Sequence, residues 1–357
     1  MFAQPIASLR RDGDGLAVLD QSRLPWRTVE RRLTTLEDVA EAISAMRVRG
    51  APLIGCAAAF GVAVALSGGK EDDAALDRAL AVLRATRPTA VNLAWALNRM
   101  DARLRPLPPA IRREAAWVEA EAIRAEDAAM CAAIGAHGLG LLRSIKRADA
   151  GRALRVMTHC NAGWLATAGM GTALAPVYAA CAEGLEVEVI VSETRPRNQG
   201  LLTVWELAAA GVKHTLIVDS AAGLLLMRGE ADAVIVGADR IAANGDTANK
   251  VGTYLKALAA HAAGVPFYVA APMSTFDPRT ACGEAIPVEE RAAEELLFID
   301  GLDGTGSPGR LRLAPESTRA ANPAFDITPA ALISGFITER GVFGAEGLAG
   351  FLQGIQV

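Results

Sequence analysis

The chain has 357 residues, 52% hydrophobic and 21% charged, with 36 basic residues against 40 acidic for a net charge of −4. That length exceeds the usual single domain, and that composition builds a sizeable core, which excludes a disordered chain. A generic nucleic-acid surface is also excluded, because it needs clustered Lys and Arg and the sequence offers only short pairs such as Arg31–Arg32 and Lys146–Arg147.

The first 149 residues read mainly as helices. After a short strand near Leu16–Leu19, Thr34 or Thr35 can cap a helix that carries Glu37 or Asp38 in its first turn. The periodicity carries this helix through Met46, stopping before Gly50, and starts another after Pro52. Further helices are expected over 71–85, 89–104 and 109–143, the last long enough to lie across two domains, with a charged linker at 144–153. From residue 154 short apolar runs alternate with helical stretches. The runs are Leu154–Thr158, Val187–Ser192, Thr215–Asp219, Ala233–Gly237, Pro266–Ala271 and Leu296–Ile299. The helical stretches lie near 164–182, 199–211, 220–228 and 247–263. Such alternation predicts an α/β fold with a parallel sheet covered on both faces, and so a helical domain at 1–149 followed by a Rossmann-like domain at 150–357. No internal repeat appears.

Five cysteines (Cys56, Cys131, Cys160, Cys181, Cys282) are odd in number and lack CxxC spacing, which fits free thiols in a reducing cytoplasm. The opening MFAQPIASLRRDGDG has no apolar run that could serve as a signal peptide, and the apolar stretch 55–66 is shorter than the roughly 20-residue membrane span. The expectation is a cytoplasmic protein with no membrane partner.

In parallel sheets, ligands gather at the carboxyl ends of strands. The first run hands over to Thr158-His159-Cys160-Asn161-Ala162-Gly163. A thiol there is expected at a helix N-terminus, where the dipole favours the thiolate; the plain alternative is a buried, inert cysteine. His159 reads as a hydrogen-bonding neighbour or a base. The second run leads into Glu193-Thr194-Arg195-Pro196-Arg197-Asn198-Gln199-Gly200, suited to phosphate or sugar hydroxyls, or else an ordinary charged loop. The fourth ends at Asp239, a good position for a general acid unless it merely pairs with Arg240 or caps a helix. Asn249 and Lys250 follow and are expected to open a helix. In the N-terminal half, Arg49-Gly50-Ala51-Pro52 and Arg87-Pro88-Thr89 are two further places where a helix start and an arginine suit an anion. GxxxxGK[ST] does not occur, which argues against a P-loop nucleotide site.

Taken in order, LDQSRLP (19–25), RGAPLIG (49–55), RPTAVNL (87–93), THCNAG (158–163), ETRPRNQG (193–200), GADRIAANGDTANKVGTYLKA (237–257), STFD (274–277) and NPAFDITP (322–329) closely resemble the methylthioribose-1-phosphate isomerase family. That family stands beside the ribose-1,5-bisphosphate isomerases and the regulatory subunits of initiation factor two B. The resemblance runs nearly end to end; Met273 before STFD departs only outside the chemistry. It implies Cys160 and Asp239 as the catalytic pair and Arg49, Gly50, Ala51, Arg87, Gln199, Asn249 and Lys250 as substrate contacts. It further implies an aldose–ketose isomerase of methionine salvage or a related sulfur-recycling route, acting on a small sugar phosphate, with no cofactor or metal, and a homodimer. Ribose 1,5-bisphosphate or a 5-deoxy sugar phosphate is the alternative substrate, and a non-catalytic regulatory subunit the alternative role. A methylthio tail needs an apolar pocket, for which Trp95 is a candidate.

Overall fold

A computed structural model describes residues 6–69, 71–88, 90–145 and 151–344. Residues 146–150 of the linker expected at 144–153 therefore fall outside the described residues, as does Thr89. The chain opens with an antiparallel meander of β1 (Leu9–Asp12), β2 (Gly15–Leu19) and β3 (Glu30–Leu33), in which every residue of β2 is buried. Five helices follow: α1 (Leu36–Ser44), α2 (Ala51–Ser67), α3 (Asp73–Thr86), α4 (Val91–Leu104) and α5 (Pro109–Ser144). Thr35 caps α1, accepting from the Asp38 N–H at 3.1 Å while the Asp38 carboxylate accepts from the Thr35 N–H at 3.0 Å. This reciprocal pair satisfies donors that the first turn would leave open. The helix stops at Ser44, short of the expected Met46, which has a positive φ of 55°.

The sequence of α2 is apolar on all sides, as befits a helix buried on all sides. Leu53, Phe60, Val62 and Leu66 anchor a core against β2, α1, α3, α4 and the first half of α5. At 36 residues α5 is roughly 54 Å long. Its early residues Trp117 and Ile123 belong to that core. Its later ones, Ile134, Leu139 and Leu142, belong to a second core on the central sheet.

The rest of the chain alternates β4 (Leu154–Thr158), α6 (Ala175–Ala182), β5 (Val187–Ser192), α7 (Gly200–Ala209), β6 (Lys213–Ile217), α8 (Ala221–Met227) and β7 (Ala233–Val236). A short excursion, β8 (Arg240–Ala242) and β9 (Thr247–Lys250), precedes α9 (Thr253–Ala263) and β10 (Phe267–Ala270). Then come β11 (Phe276–Asp277), α10 (Glu294–Leu297), β12 (Phe298–Leu302), β13 (Pro308–Arg312), β14 (Phe325–Thr328), β15 (Gly335–Thr338) and β16 (Gly341–Phe343). The central sheet has the order β16-β15-β10-β7-β4-β5-β6, parallel throughout except for the β16 edge. Strand pleating sends Val156, Val189 and Ile235 into one core with α5 and α6. Their neighbours Met157, Ile190 and Val234 enter another with α9. Both faces of the inner strands are covered, so β4, β5, β7 and β10 are largely apolar runs, whereas the edge strand β6 leaves Lys213, Thr215 and Leu216 exposed.

Three expectations fail locally. Leu296–Ile299 is the end of α10 and the start of the β12–β13 hairpin, outside the central sheet, whose far edge is instead built by β15 and β16. The helix expected over 164–182 is a single tight turn, Trp164–Ala166, and then α6. The helix expected from 247 starts only at Thr253, because 247–250 pairs with β8 and β14 in a small sheet of order β11-β8-β9-β14.

Candidate active site

From β4 the chain proceeds outward in one direction through β5 and β6, and then returns to build β7, β10 and β15 on the other side. The point of reversal lies between β4 and β7, and a crevice opens at their carboxyl ends. Cys160 follows the end of β4 and Asp239 the end of β7, so adjacent strands deliver the two residues to one cavity.

Cys160 occupies a tight turn at φ 63°. Its N–H donates to Thr194 Oγ1 at 2.8 Å, and its carbonyl accepts from the Thr203 hydroxyl at 2.8 Å. The thiol does not meet an α-helix N-terminus, since the residues beyond it form only the Trp164–Ala166 turn. Burial pushes the thiol up, against the downward pull of Arg49 and Lys250. The expected thiolate is thereby corrected to a thiol. His159 is fully buried, with Nε2 2.8 Å from the Val251 carbonyl. A carbonyl only accepts, so Nε2 carries the proton. Burial, reinforced by Lys256, lowers the imidazole to about 3 and keeps it neutral.

The Asp239 N–H donates to the Ala248 carbonyl at 2.9 Å. Burial raises its carboxyl, with Lys250, Arg87 and Arg49 opposing. Arg240 points away and pairs with Asp277 at 3.3 Å, so the Asp239–Arg240 pair considered from sequence does not form.

Three cations surround this pair. The Arg49 guanidinium grips Asn161 at two points, Oδ1 and, at 2.8 Å, the backbone carbonyl. Gly50 caps α2 at φ +98°, pressed so closely on Ala166 that a Cβ would lie 2.5 Å from backbone atoms. Only glycine allows this approach, which presents the start of α2 to the cavity. Arg87 is largely buried, with its nearest acid, Glu289, at 3.9 Å, and burial lowers its pKa. Lys250 donates to the Ala324 carbonyl at 2.9 Å and lies 4.8 Å above the Phe325 ring. Burial lowers its pKa too, while Cys160 and Asp239 oppose.

Asn249 and Lys250 reach the cavity from strand β9, not from a helix. Asn249 Nδ2 donates to Thr253 Oγ1 at 3.1 Å. Gln199 is buried beside them, and its Oε1 has no protein partner among the described residues. The nine residues that the resemblance implies all line this one cavity, with Met46, Pro52, Ala166, Pro272 and Phe325 as its apolar wall. Trp95 is not in that wall. It packs against the helical core under the Arg99 guanidinium, 5.5 Å from its ring centre. Arg195 and Arg197, two candidates for anion binding, are spent elsewhere, on the Leu296 carbonyl at 2.9 Å and on Glu295 at 2.7 Å. Asn161 and Thr194 are the contributors that sequence reasoning passed over; both lie inside the quoted motifs.

The Initiation factor 2 subunit family matches residues 47–345. A protein from Dechloromonas aromatica named methylthioribose-1-phosphate isomerase is 59% identical over 340 residues, covering 95% of this chain and 93% of that one. The crystal structure of 5-methylthioribose 1-phosphate isomerase from Pyrococcus horikoshii superposes with a TM-score of 0.84 at 37% identity, covering 99% of this chain and 96% of that one. A structure titled translation initiation factor eIF-2B, subunit delta, from A. fulgidus gives 0.79 at 38% identity, covering 94% and 95%. The chain belongs to the Initiation factor 2 subunit family and, within it, to the methylthioribose-1-phosphate isomerases.

Proposed function

We propose that this aldose–ketose isomerase converts 5-methylthioribose 1-phosphate to 5-methylthioribulose 1-phosphate, with Asp239 as the acid and Cys160 assisting hydrogen transfer. The observation that carries the reading is the pairing of a raised carboxyl and a raised thiol in one cavity ringed by Arg49, Arg87 and Lys250. In an aldose 1-phosphate the anomeric oxygen bears the phosphate, so the ring cannot open to a free aldehyde unaided. Asp239, its carboxyl raised by burial, is the group placed to donate a proton to the ring oxygen as the C1–O bond breaks. The phosphate is held by the arginine forks and the start of α2. The hydrogen on C2 then moves to C1 while the C2 hydroxyl gives up its proton, replacing the one that Asp239 donated, and becomes the ketone.

Two routes carry that hydrogen: a proton relay through an enediol-like intermediate with Cys160 as base, or a direct hydride shift. An un-ionised thiol is a poor base, and burial holds Cys160 as the thiol. This favours the hydride shift, with the thiol filling the dry wall beside C1 and C2. A methylthio tail fits the wall of Met46, Pro52, Ala166, Pro272 and Phe325 better than a second phosphate does. The helical residues 1–149 close over the substrate from one side and residues 150–357 supply the acid and thiol. The relatives' names support a role in methionine salvage; that the enzyme works in the cytoplasm as a homodimer is part of the proposal and rests on the family resemblance alone. Among the described residues no helix is long and apolar enough to cross a membrane.

The test is NMR-monitored turnover of methylthioribose 1-phosphate by wild type, Cys160→Ser and Asp239→Asn, with folding checked by circular dichroism. Wild type forms the ketose phosphate and both folded variants lose it. Activity only on 5-deoxyribose 1-phosphate or ribose 1,5-bisphosphate would move the substrate assignment, and inactivity on all three would end the isomerase reading.

A further inference from the structure

We propose that Glu206 is a positioning residue which, with Thr203 one turn earlier on α7, fixes the Cys160–Leu165 turn and through Asn161 aims the Arg49 guanidinium at the phosphate of the bound sugar. This rests on the function proposed above. Both side chains are fully buried behind the cavity and line no part of it. The Thr203 hydroxyl donates to the Cys160 carbonyl at 2.8 Å and accepts from Asn161 Nδ2 at 3.1 Å. Glu206 Oε2 accepts from the Leu165 N–H at 3.1 Å, and Oε1 accepts from the Tyr178 hydroxyl at 3.1 Å. The Asn161 amide also helps to stabilise the Glu206 carboxylate. Asn161 in turn gives both its side-chain and its backbone oxygen to Arg49. A continuous run of hydrogen bonds therefore leads from α7 to the cation that faces the cavity.

The turn is shaped around this carboxylate. A Cβ on Gly163 would lie 1.3 Å from Glu206 Oε1, so the glycine leaves the space that the acid fills. Burial is the main cause that raises the acid to about 7, and Arg49 opposes it from across Asn161. An ordinary core would place a leucine here. An acid kept in the core at this desolvation cost, bonded to the very turn that carries Cys160, points to a role in shaping that turn.

The experiment compares Glu206→Ala, Glu206→Gln and Thr203→Val with wild type, measuring inorganic phosphate affinity by titration calorimetry and kcat and KM on methylthioribose 1-phosphate. Glu206→Ala is expected to weaken phosphate binding and raise KM by roughly tenfold, the scale of one misaligned charge-assisted hydrogen bond. Gln can accept from Leu165 N–H and donate to the Tyr178 oxygen, so Glu206→Gln recovers most of that affinity. Thr203→Val, isosteric and lacking the hydroxyl, shifts phosphate affinity in the same direction as Ala and reports on the same run if Glu206→Ala does not fold. A role in core stability alone would lower the melting temperature and leave phosphate affinity and KM untouched. Folded variants with wild-type phosphate affinity overturn the proposal. A wild type that neither binds phosphate nor turns over the sugar phosphate sinks the function reading, and this one with it.

Discussion

Gly50→Ala probes how tightly the start of α2 is braced. Gly50 adopts φ +98°, and a Cβ there would lie 2.5 Å from the Ala166 Cα and carbonyl oxygen, about 0.9 Å inside ordinary contact at 3.4 Å. The obstacle is main chain, so no rotamer change relieves it. The backbone conformation costs an L residue roughly 1–3 kcal/mol, and overpacking adds roughly 1–3 kcal/mol. Against a total stability of roughly 5–15 kcal/mol, the variant still folds. Relief requires the first turn of α2 and Ala166 to separate by most of that 0.9 Å, and both line the cavity beside Arg49. A misplacement on the order of 1 Å costs roughly 10²-fold in rate. Urea denaturation and steady-state kinetics on one preparation read both effects: a lowered midpoint and a kcat/KM down roughly a hundredfold. An unchanged midpoint with near-wild-type kcat/KM would refute the bracing argument.

Substrate deuterated at C2 is expected to give product with the label retained at C1, read by NMR in ordinary water; washout of the label to solvent would establish the proton relay instead. Arg49→Lys replaces a two-point fork with a point charge, so KM rises roughly tenfold with a smaller effect on kcat; an unchanged KM would mean that Arg49 does not hold the phosphate. Glu206 rises on folding from 4.5 to about 7, so the folded protein binds the extra proton. Its contribution to stability is fully present below pH 4.5 and is lost as pH climbs through 7, about 3 kcal/mol in all. Glu206→Gln removes that slope from a plot of urea stability against pH, and a slope equal to wild type would count against a buried, titrating carboxyl.

What the sequence disclosed was governed by local rules. Thr35 with Asp38 is a cap readable from four residues, and the runs at 154–158 and 187–192 are strands because apolar β-branched residues fit a sheet covered on both faces. Asn249 and Lys250 resemble a helix start because TANK has no strand character of its own. Its extended form depends on Phe325–Thr328, 70 and more residues later, and pairings of that kind leave no local trace. The thiolate expected at Cys160 failed for a similar reason: the helix that would supply the dipole was drawn from composition across 164–182, where a glycine-rich stretch makes only one turn. Trp95 lies close in sequence to the RPTAVNL motif, whereas α4 packs that ring on the helical core and outside the cavity. Glu206 went unnoticed because a single acid in a helix usually faces water. Its place beside Leu202, Thr203 and Leu207 on the buried stripe was the available signal.

The length of α5 has a thermodynamic consequence. Trp117 and Ile123 are packed into one core, while Ile134 and Leu139 are packed into another, on the same uninterrupted rod. Melting either core would strip half the rod of its packing, and helices of this kind draw most of their stability from tertiary contacts. Neither core can therefore be lost alone at low cost. Heating is expected to produce one cooperative calorimetric transition, where two cores joined by a slack tether would give two.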